Sequence, residues 1–223
     1  MRLTLALLFA AATCTAQQSL DTTKLISRIG FGSCNSQDNP QLIWETISKD
    51  KPELFILLGD NIYGDTKDIK ELQRKYDLFG SKPTYQNFKK DCPVIATWDD
   101  HDYGANDAGK EYPKKKESKE IFLNFFNEPA NSERRKHEGI YTSYMLEQNG
   151  KRIQIILPDL RTFRDKLCVA GKDEDCFGEY EPCKDSTKQM LGEEQWKWLE
   201  STLASSSARV HLIGSGIQVA PFQ

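Results

Sequence analysis

Four aspartates and a histidine crowd into one short stretch of the sequence, "ATWDDHDYGANDAG" at residues 96–109. The aspartates that surround His101 are Asp99, Asp100, Asp102 and Asp107. Carboxylates this close together raise one another's pKa and destabilise a folded chain unless a positive charge lies among them. The stretch therefore predicts either a bound cation or a solvated turn.

Similar chemistry follows other strand-like runs of the sequence. "ISRIGFGSC" ends at Cys34, and the apolar run "ELFILLGD" leads to Asp60 and Tyr63. A later run, "RIQIILPDLR", ends at Asp159 and Arg161. Because ligands of open α/β sheets lie beyond the carboxyl ends of the strands, we expect these side chains to share one site.

The mixture of ligand types points to metal chemistry. Carboxylate, amide and phenolate oxygens suit hard cations, whereas a thiolate and an imidazole suit iron or zinc. Both kinds together predict two different metal ions that share a bridging aspartate. Such sites activate a water molecule and stabilise in-line displacement, typically at phosphorus, and the planar guanidinium of an arginine suits phosphate oxygens.

The elements that must position these residues alternate between strands and helices. The apolar runs above predict buried strands, and helices are predicted at "PQLIWETISKD" from Asn39, "DIKELQRKYDLFG" and "KESKEIFLNFFNEP". Asn149-Gly150 predicts a hairpin between two further strands. A polar loop, a helix at "LGEEQWKWLESTLAS" and a strand at "ARVHLIGSGIQV" follow. The order predicts one α/β domain.

Composition restricts the class of protein. Of the 223 residues 38% are hydrophobic and 28% charged, which is typical of a globular protein with a core. The net charge of -3 provides no electrostatic footprint for nucleic acid. The basic runs Lys114–Lys116 and Arg134–Lys136 are therefore interpreted as solvated surface.

The N-terminus resembles a secretory signal peptide. Arg2 precedes an apolar stretch from Leu3 to Ala12 that is too short to span a bilayer, and small residues end at Ala16. We expect cleavage near Ala16, so that residues 1–16 are the signal peptide and residues 17–223 form a secreted or periplasmic domain, with no membrane partner.

Export changes the interpretation of the cysteines. Six cysteines occur, and Cys14 falls within the signal peptide, so an odd number remains in an oxidising compartment. Four of them are expected to form two disulfides of undetermined pairing: Cys92, Cys168, Cys176 and Cys183. Cys34 is then left for another role.

Several motifs occur in a characteristic order from about Ile29 to Val219. They are "FGSC", "LLGDNIY", "TWDDHDYGAND", "DLRTFR", "MLGEEQWKWL" and "GSGIQV". Together they resemble the successive motifs of the PhoD-like alkaline phosphatases, a divergent branch of the metallophosphoesterases. The resemblance implies an α/β fold with two packed sheets flanked by helices. It also implies hydrolysis of small phosphate esters by a metal-activated hydroxide, with Fe³⁺ and Ca²⁺ as cofactors.

The resemblance also implies roles for individual residues. Cys34 and Tyr63 would be the thiolate and phenolate ligands of iron, and Asp60 would bridge the two metals. Asn106 occupies the position of a calcium-binding asparagine. Arg161 resembles the phosphate-contacting arginine, and His101 resembles a residue behind the metal ligands or beside the leaving group. Asp102 stands where the family commonly has glutamate.

The family's pattern continues beyond the "GSGIQV" strand to a motif that supplies a further aspartate and histidine to the metals. This sequence ends at Gln223. His211, at the start of a strand, is expected to be structural, and neither it nor His137, which lies in a charged stretch, is expected to replace the missing ligand. We therefore expect a C-terminally truncated, incomplete metal site.

Two other functions stay open. One is a non-catalytic secreted protein that binds calcium through the aspartate-rich loop. The other is a glycosidase that uses two aspartates as acid and base, which explains neither Cys34 nor Tyr63.

Overall fold

The computed structural model describes residues 18–170 and 179–218. The signal-peptide prediction and Cys176 lie outside the described residues. In chain order the elements are β1 (Ile29–Gly32), α1 (Ile43–Lys49), β2 (Leu54–Leu57), α2 (Ile69–Gly80), α3 (Pro83–Asp91), β3 (Val94–Ala96), α4 (Asp100–Tyr103), α5 (Lys115–Phe125), α6 (Glu133–Lys136), β4 (Thr142–Gln148), β5 (Lys151–Leu157), β6 (Cys168–Val169), β7 (Tyr180–Glu181), α7 (Gly192–Ala204) and β8 (Val210–Ile213). Within these ranges, every helix is too short or too polar to span a bilayer.

The first sheet is parallel, with the strand order β1–β2–β3. All four residues of β2 are apolar and buried, as expected for a strand that is covered on both faces. Parallel neighbours require crossover connections, which α1 supplies between β1 and β2, and α2 with α3 between β2 and β3. The carboxyl ends of all three strands therefore meet at one edge.

The second sheet has the order β4–β5–β8. The predicted hairpin is confirmed: β4 and β5 are antiparallel, and Asn149 and Gly150 between them have φ of 53° and 74°. Two successive positive φ angles define the turn that matches the twist of a hairpin and favours this dipeptide. α7 then carries the chain from β5 to β8, which is parallel to it.

The two sheets pack face to face. Successive side chains of a strand point to opposite faces, so β2 contributes to two clusters. The cluster between the sheets comprises Leu54, Ile56, Ile95, Leu146, Ile155 and Leu157. On the other face of β2, Phe55 and Leu57 pack among residues of the helices, including Trp44. The predicted sandwich of two sheets flanked by helices is confirmed.

Two helices differ from the sequence prediction. α1 begins at Ile43 rather than next to Pro40, because Gln41 has a left-handed φ of 58° that no helix continues through. The Gln41 side chain instead accepts a hydrogen bond from the Trp44 indole at 2.9 Å. α3 was not predicted, and it begins with Pro83 in its first turn, where proline is tolerated.

The interpretation of Arg134–Lys136 as solvated surface is wrong for Arg134, which is 3% exposed. Its guanidinium donates to the backbone carbonyls of Ile140 at 2.5 Å and Ala96 at 2.7 Å, and it lies 3.5 Å from the Glu128 carboxylate. Arg134 therefore links two parts of the chain, the residues just before β4 and the end of β3.

The expectation of two disulfides among four cysteines is wrong for Cys92. This thiol is free and 2% exposed at the end of α3, and burial raises its pKa to about 12. Cys168 and Cys183 form a disulfide that joins the chain around β6 and β7. The polar loop near residues 165–188 is thus stapled, as expected, and Cys34 is free.

Candidate metal centre

The site lies at the carboxyl edge of the parallel sheet. Cys34 follows β1, Asp60 follows β2, and Asp100 and His101 follow β3 in the short helix α4. The first two loops are joined by backbone hydrogen bonds, from Cys34 N to Gly59 O at 3.3 Å and from Asn35 N to Asp60 O at 2.8 Å. The strand ends converge as predicted from the sequence, because parallel strands end at the same edge of the sheet.

The loops that carry the site are held in uncommon backbone conformations. Cys34 and Asp60 have φ of 60° and 50°, and Gly59 has φ of 114°. A Cβ atom on Gly59 would lie 2.6 Å from Cβ of Asp99, so only glycine allows the loops after β2 and β3 to approach this closely. Left-handed non-glycine residues cost about 1–3 kcal/mol each and cluster at functional sites.

Asp60 is the centre of the cluster. Ligand atoms of Asp60, Asp100 and His101 all lie within 4.8 Å of one another, and Oδ2 of Asp60 lies 3.5 Å from Sγ of Cys34. Oδ1 of Asp60 is buried and has no hydrogen-bond partner among the described residues. A buried carboxylate oxygen without a hydrogen-bond donor is well suited to bind a cation. The carboxylates and the thiol of this group therefore fit a metal ion, with the His101 imidazole beside them.

The electrostatics of the cluster also favour a positive charge beside it. Burial, and then the charges of Asp99 and Asp100, raise the pKa of Asp60. Burial raises the pKa of Tyr63 to about 12, with further contributions from Cys34 and Asp60 beside it. A bound cation reverses this balance and favours the carboxylate and phenolate forms.

His101 is held by a residue that the sequence analysis did not single out. Its Nδ1 lies 2.8 Å from both carboxylate oxygens of Asp65, and its ring centroid lies 4.4 Å from that of Tyr63. Burial lowers the pKa of His101, but the hydrogen bond to Asp65 and the charge of Asp100 outweigh it, so the pKa lies above its ordinary value. Asp65 itself has a left-handed φ of 44°.

Arg161 lies beside the cluster. Its Nη2 is 2.6 Å from Oδ1 of Asp99 and 3.5 Å from Oδ1 of Asp100. Arg161 is 5% exposed, and burial lowers its pKa, but the hydrogen bond to Asp99 and the charges of Asp99 and Asp100 outweigh this and raise the pKa. Arg161 thus places a positive charge next to the acidic residues that face the expected metals.

Asp159 does not join the cluster, contrary to the sequence-based expectation. It is fully buried, and its carboxylate accepts hydrogen bonds from the Trp98 indole, from the backbone amides of Ile140 and Arg161, and from both the amide and the hydroxyl of Thr162. A carboxylate with this many donors is saturated. Its role is to fix the turn that carries Arg161.

Asn106 lies on the loop after α4 and is exposed. Its Nδ2 donates to Oδ2 of Asp107 at 2.7 Å, and the Asp107 amide donates to Oδ2 of Asp100 at 2.6 Å. The loop is therefore fastened to the cluster through Asp100. Asp100, to which this loop is fastened, belongs to the cluster with Asp60 and His101.

Asp102, the remaining aspartate of the stretch at residues 96–109, is structural. Asp102 is fully buried and accepts hydrogen bonds from the amides of Asp99 at 2.7 Å and Asn61 at 3.1 Å, and from the Asn61 side chain. It joins the loops after β2 and β3. Asp102 thus orients the loop, and its partner Asn61, like Asp65 beside His101, was not among the candidate site residues.

With this geometry established, comparison with known proteins identifies the family. A family model described as PhoD-like phosphatase matches residues 29–223. The chain belongs to the PhoD-like phosphatase family. Among curated proteins, none matches the sequence.

The PhoD-like fold is also found among solved structures. The chain is similar to a structure titled "Structure of PhoD", with a TM-score of 0.63 and 18% identity. The match covers 83% of this chain and 40% of that one. At this identity the likeness concerns the fold, and the chain spans 40% of the length of the PhoD chain that it matches.

For a PhoD-like chain, the structure brings most of the expected site residues together. Cys34, Asp60, Tyr63 and His101 form one group, and Arg161 lies beside it. Asn106 lies on the adjoining loop.

Proposed function

We propose that this chain carries a metal-dependent phosphoesterase site that hydrolyses small phosphate esters. The observation that carries the proposal is the buried, unpartnered Oδ1 of Asp60 within a group formed by Cys34, Asp100 and His101. A merely structural aspartate in this protein is saturated with donors, as Asp159 is. Membership of the PhoD-like phosphatase family supports phosphorus as the reacting centre.

Fe³⁺ and Ca²⁺ are the proposed metals. The Cys34 thiolate and the Tyr63 phenolate suit Fe³⁺, and a carboxylate and an amide oxygen suit Ca²⁺. Asp60 would help to hold both ions, since one of its oxygens lies near Cys34 and the other has no hydrogen-bond partner among the described residues. When bound, the ions supply Lewis acidity that activates water and neutralises charge on the phosphate.

His101 is the proposed proton donor to the leaving oxygen. Asp65 binds its Nδ1, so Nε2 is the remaining nitrogen that can donate toward the cluster. The raised pKa favours the imidazolium, which is the form that donates. Asp65 is then the residue that orients the ring and stabilises its charge.

Arg161 is the proposed phosphate-binding residue. It lies 3.5 Å from Asp100, and its planar guanidinium can present two parallel N–H groups to phosphate oxygens. The contact with Asp99 fixes its position before substrate binds. We further propose that the protein is exported, on the basis of the signal-peptide pattern at residues 1–16.

Hydrolysis assays with controlled metal content test the proposal. The full chain is freed of metal, reloaded with Fe³⁺ and Ca²⁺, and assayed on p-nitrophenyl phosphate and bis(p-nitrophenyl) phosphate. We expect turnover that is lost on chelation and in Asp60→Asn, and retained in Asp77→Asn, which changes an exposed aspartate of α2. Turnover that survives chelation or Asp60→Asn refutes the proposal, and calcium binding without any turnover favours the non-catalytic calcium-binding alternative.

A further inference from the structure

The Asn106 side chain has a defined orientation. Its Nδ2 donates to Asp107 Oδ2 at 2.7 Å, and the amide has one other polar atom, its carbonyl oxygen. With the nitrogen bound to Asp107, the carbonyl oxygen is the atom of the amide left to meet a cation. Asp107 therefore decides whether Asn106 presents an oxygen or an N–H₂ group.

Asp107 is itself held by a residue from a distant part of the chain. The hydroxyl of Tyr180 donates to Asp107 Oδ2 at 3.0 Å, across 73 residues of sequence. On the other side, Arg164 donates to the backbone carbonyl of Asp107.

A covalent staple keeps Tyr180 in place. Tyr180 lies in β7, which pairs with β6 through only two residue pairs, Cys168↔Glu181 and Val169↔Tyr180. So short a two-stranded hairpin is marginal without support. The Cys168–Cys183 disulfide closes it next to these pairs. The loop that the disulfide staples therefore has an end that touches the candidate site.

We propose that Tyr180 is a positioning residue for the calcium site, acting through Asp107 on the orientation of Asn106. This rests on the proposed function, in which Asn106 is a calcium ligand. Groups that orient metal ligands typically contribute 10–100-fold in metal affinity. We therefore expect Tyr180→Phe to weaken calcium binding about tenfold, at the lower end of that range, since the Asn106–Asp107 contact persists.

A double-mutant cycle tests the proposal. Calcium affinity of the iron-loaded full chain is measured by isothermal titration calorimetry for the parent, Tyr180→Phe, Asp107→Gly and the double variant. Glycine adopts the φ of 56° found at position 107 without strain, so the change removes the carboxylate alone. Because Tyr180 acts through Asp107, its change should weaken binding in the parent and have no effect in the Asp107→Gly background.

Two controls separate positioning from general damage to the fold. Val169→Thr alters an exposed residue opposite Tyr180 in the same hairpin and should leave calcium affinity unchanged. Iron content should stay the same in Tyr180→Phe, since Cys34 and Tyr63 do not depend on this loop. A Cys168→Ser/Cys183→Ser variant should weaken calcium binding in the same direction as Tyr180→Phe.

Several outcomes would overturn the proposal. One is a calcium affinity in Tyr180→Phe equal to that of the parent. Another is a loss of calcium affinity on changing Tyr180 to Phe that is equal in the parent and in the Asp107→Gly chain. A parallel loss of iron would show a structural role instead. Absence of calcium binding by the parent itself would refute the proposed function, and this inference with it, whereas the other outcomes leave the proposed function intact.

Discussion

Replacing Asp60 with asparagine should stabilise the metal-free chain and abolish its response to metal. Oδ1 of Asp60 is buried without a partner, and Asp99 and Asp100 add like charge beside it. The amide keeps an acceptor near the Cys34 thiol, removes the charge, and offers an N–H₂ group to the neighbouring carboxylates. Asparagine also tolerates the φ of 50° at this position better than most residues do.

The magnitude follows from the unsatisfied oxygen. A buried polar atom without a partner costs about 1–3 kcal/mol, so relief of part of this cost should add about 1–2 kcal/mol to the free energy of unfolding. For a domain of this size that corresponds to an increase in Tm of about 2–8 °C. A free metal concentration of a hundred times the Kd should raise the free energy of unfolding of the parent by about 2.7 kcal/mol and should leave that of the variant unchanged. The order of stability therefore reverses when metal is added.

Thermal unfolding with and without Fe³⁺ and Ca²⁺ measures both effects. Asp77→Asn is the matched control, since it removes the same charge from an exposed position of α2 whose side chain accepts from Gln73. It should keep the full stabilisation by metal. The reasoning would be refuted if Asp60→Asn without metal had a lower Tm than the parent. It would also be refuted if metal raised the Tm of Asp60→Asn as much as it raises that of the parent.

Three further predictions concern other residues. Arg134→Met should cost about 2–6 kcal/mol of unfolding free energy in urea titrations, because it leaves the backbone carbonyls of Ala96 and Ile140 without their donor. Asp65→Asn should move the alkaline limb of the pH profile of kcat/KM to lower pH, because the imidazolium of His101 is the active form and the Asp65 contact raises its pKa. Iodoacetamide should label exposed Cys34 in the native metal-free chain, while buried Cys92, with its pKa raised to about 12, should react only on unfolding.

Each of these predictions has its own control. Lys136→Met, at an exposed position of α6, should change the unfolding free energy little, and an Arg134 variant as stable as this control would contradict the account of the buried guanidinium. An unchanged alkaline limb in Asp65→Asn would remove His101 from the proposed proton transfer. Labelling of Cys92 at the same rate as Cys34 would show that the end of α3 is not packed as described.

The elements and the strand-end site residues could be predicted because local patterns encode them. The continuous apolar run of β2 and the Asn149-Gly150 turn each indicate their structure without reference to distant residues. Cys34 and Asp60 then share an edge because parallel strands bring their carboxyl ends together. The convergence of the site follows from the topology of the sheet.

The partners of the site residues could not be predicted, because they come from distant loops. His101 binds Asp65, and Tyr180 binds the Asp107 carboxylate beside Asn106, and neither pairing has a periodic signal in the sequence. The burial of Arg134 depends on carbonyls at Ala96 and Ile140 that only the tertiary fold brings near. In each case the three-dimensional context outweighs the local composition.

The most direct test of the central claim is anomalous diffraction at the iron edge from crystals of the full chain loaded with Fe³⁺ and Ca²⁺. The account predicts an iron peak within bonding distance of Cys34 Sγ, the Tyr63 hydroxyl oxygen and Asp60. An empty cluster under these conditions, or iron bound elsewhere while Oδ1 of Asp60 stays without a ligand, would contradict it.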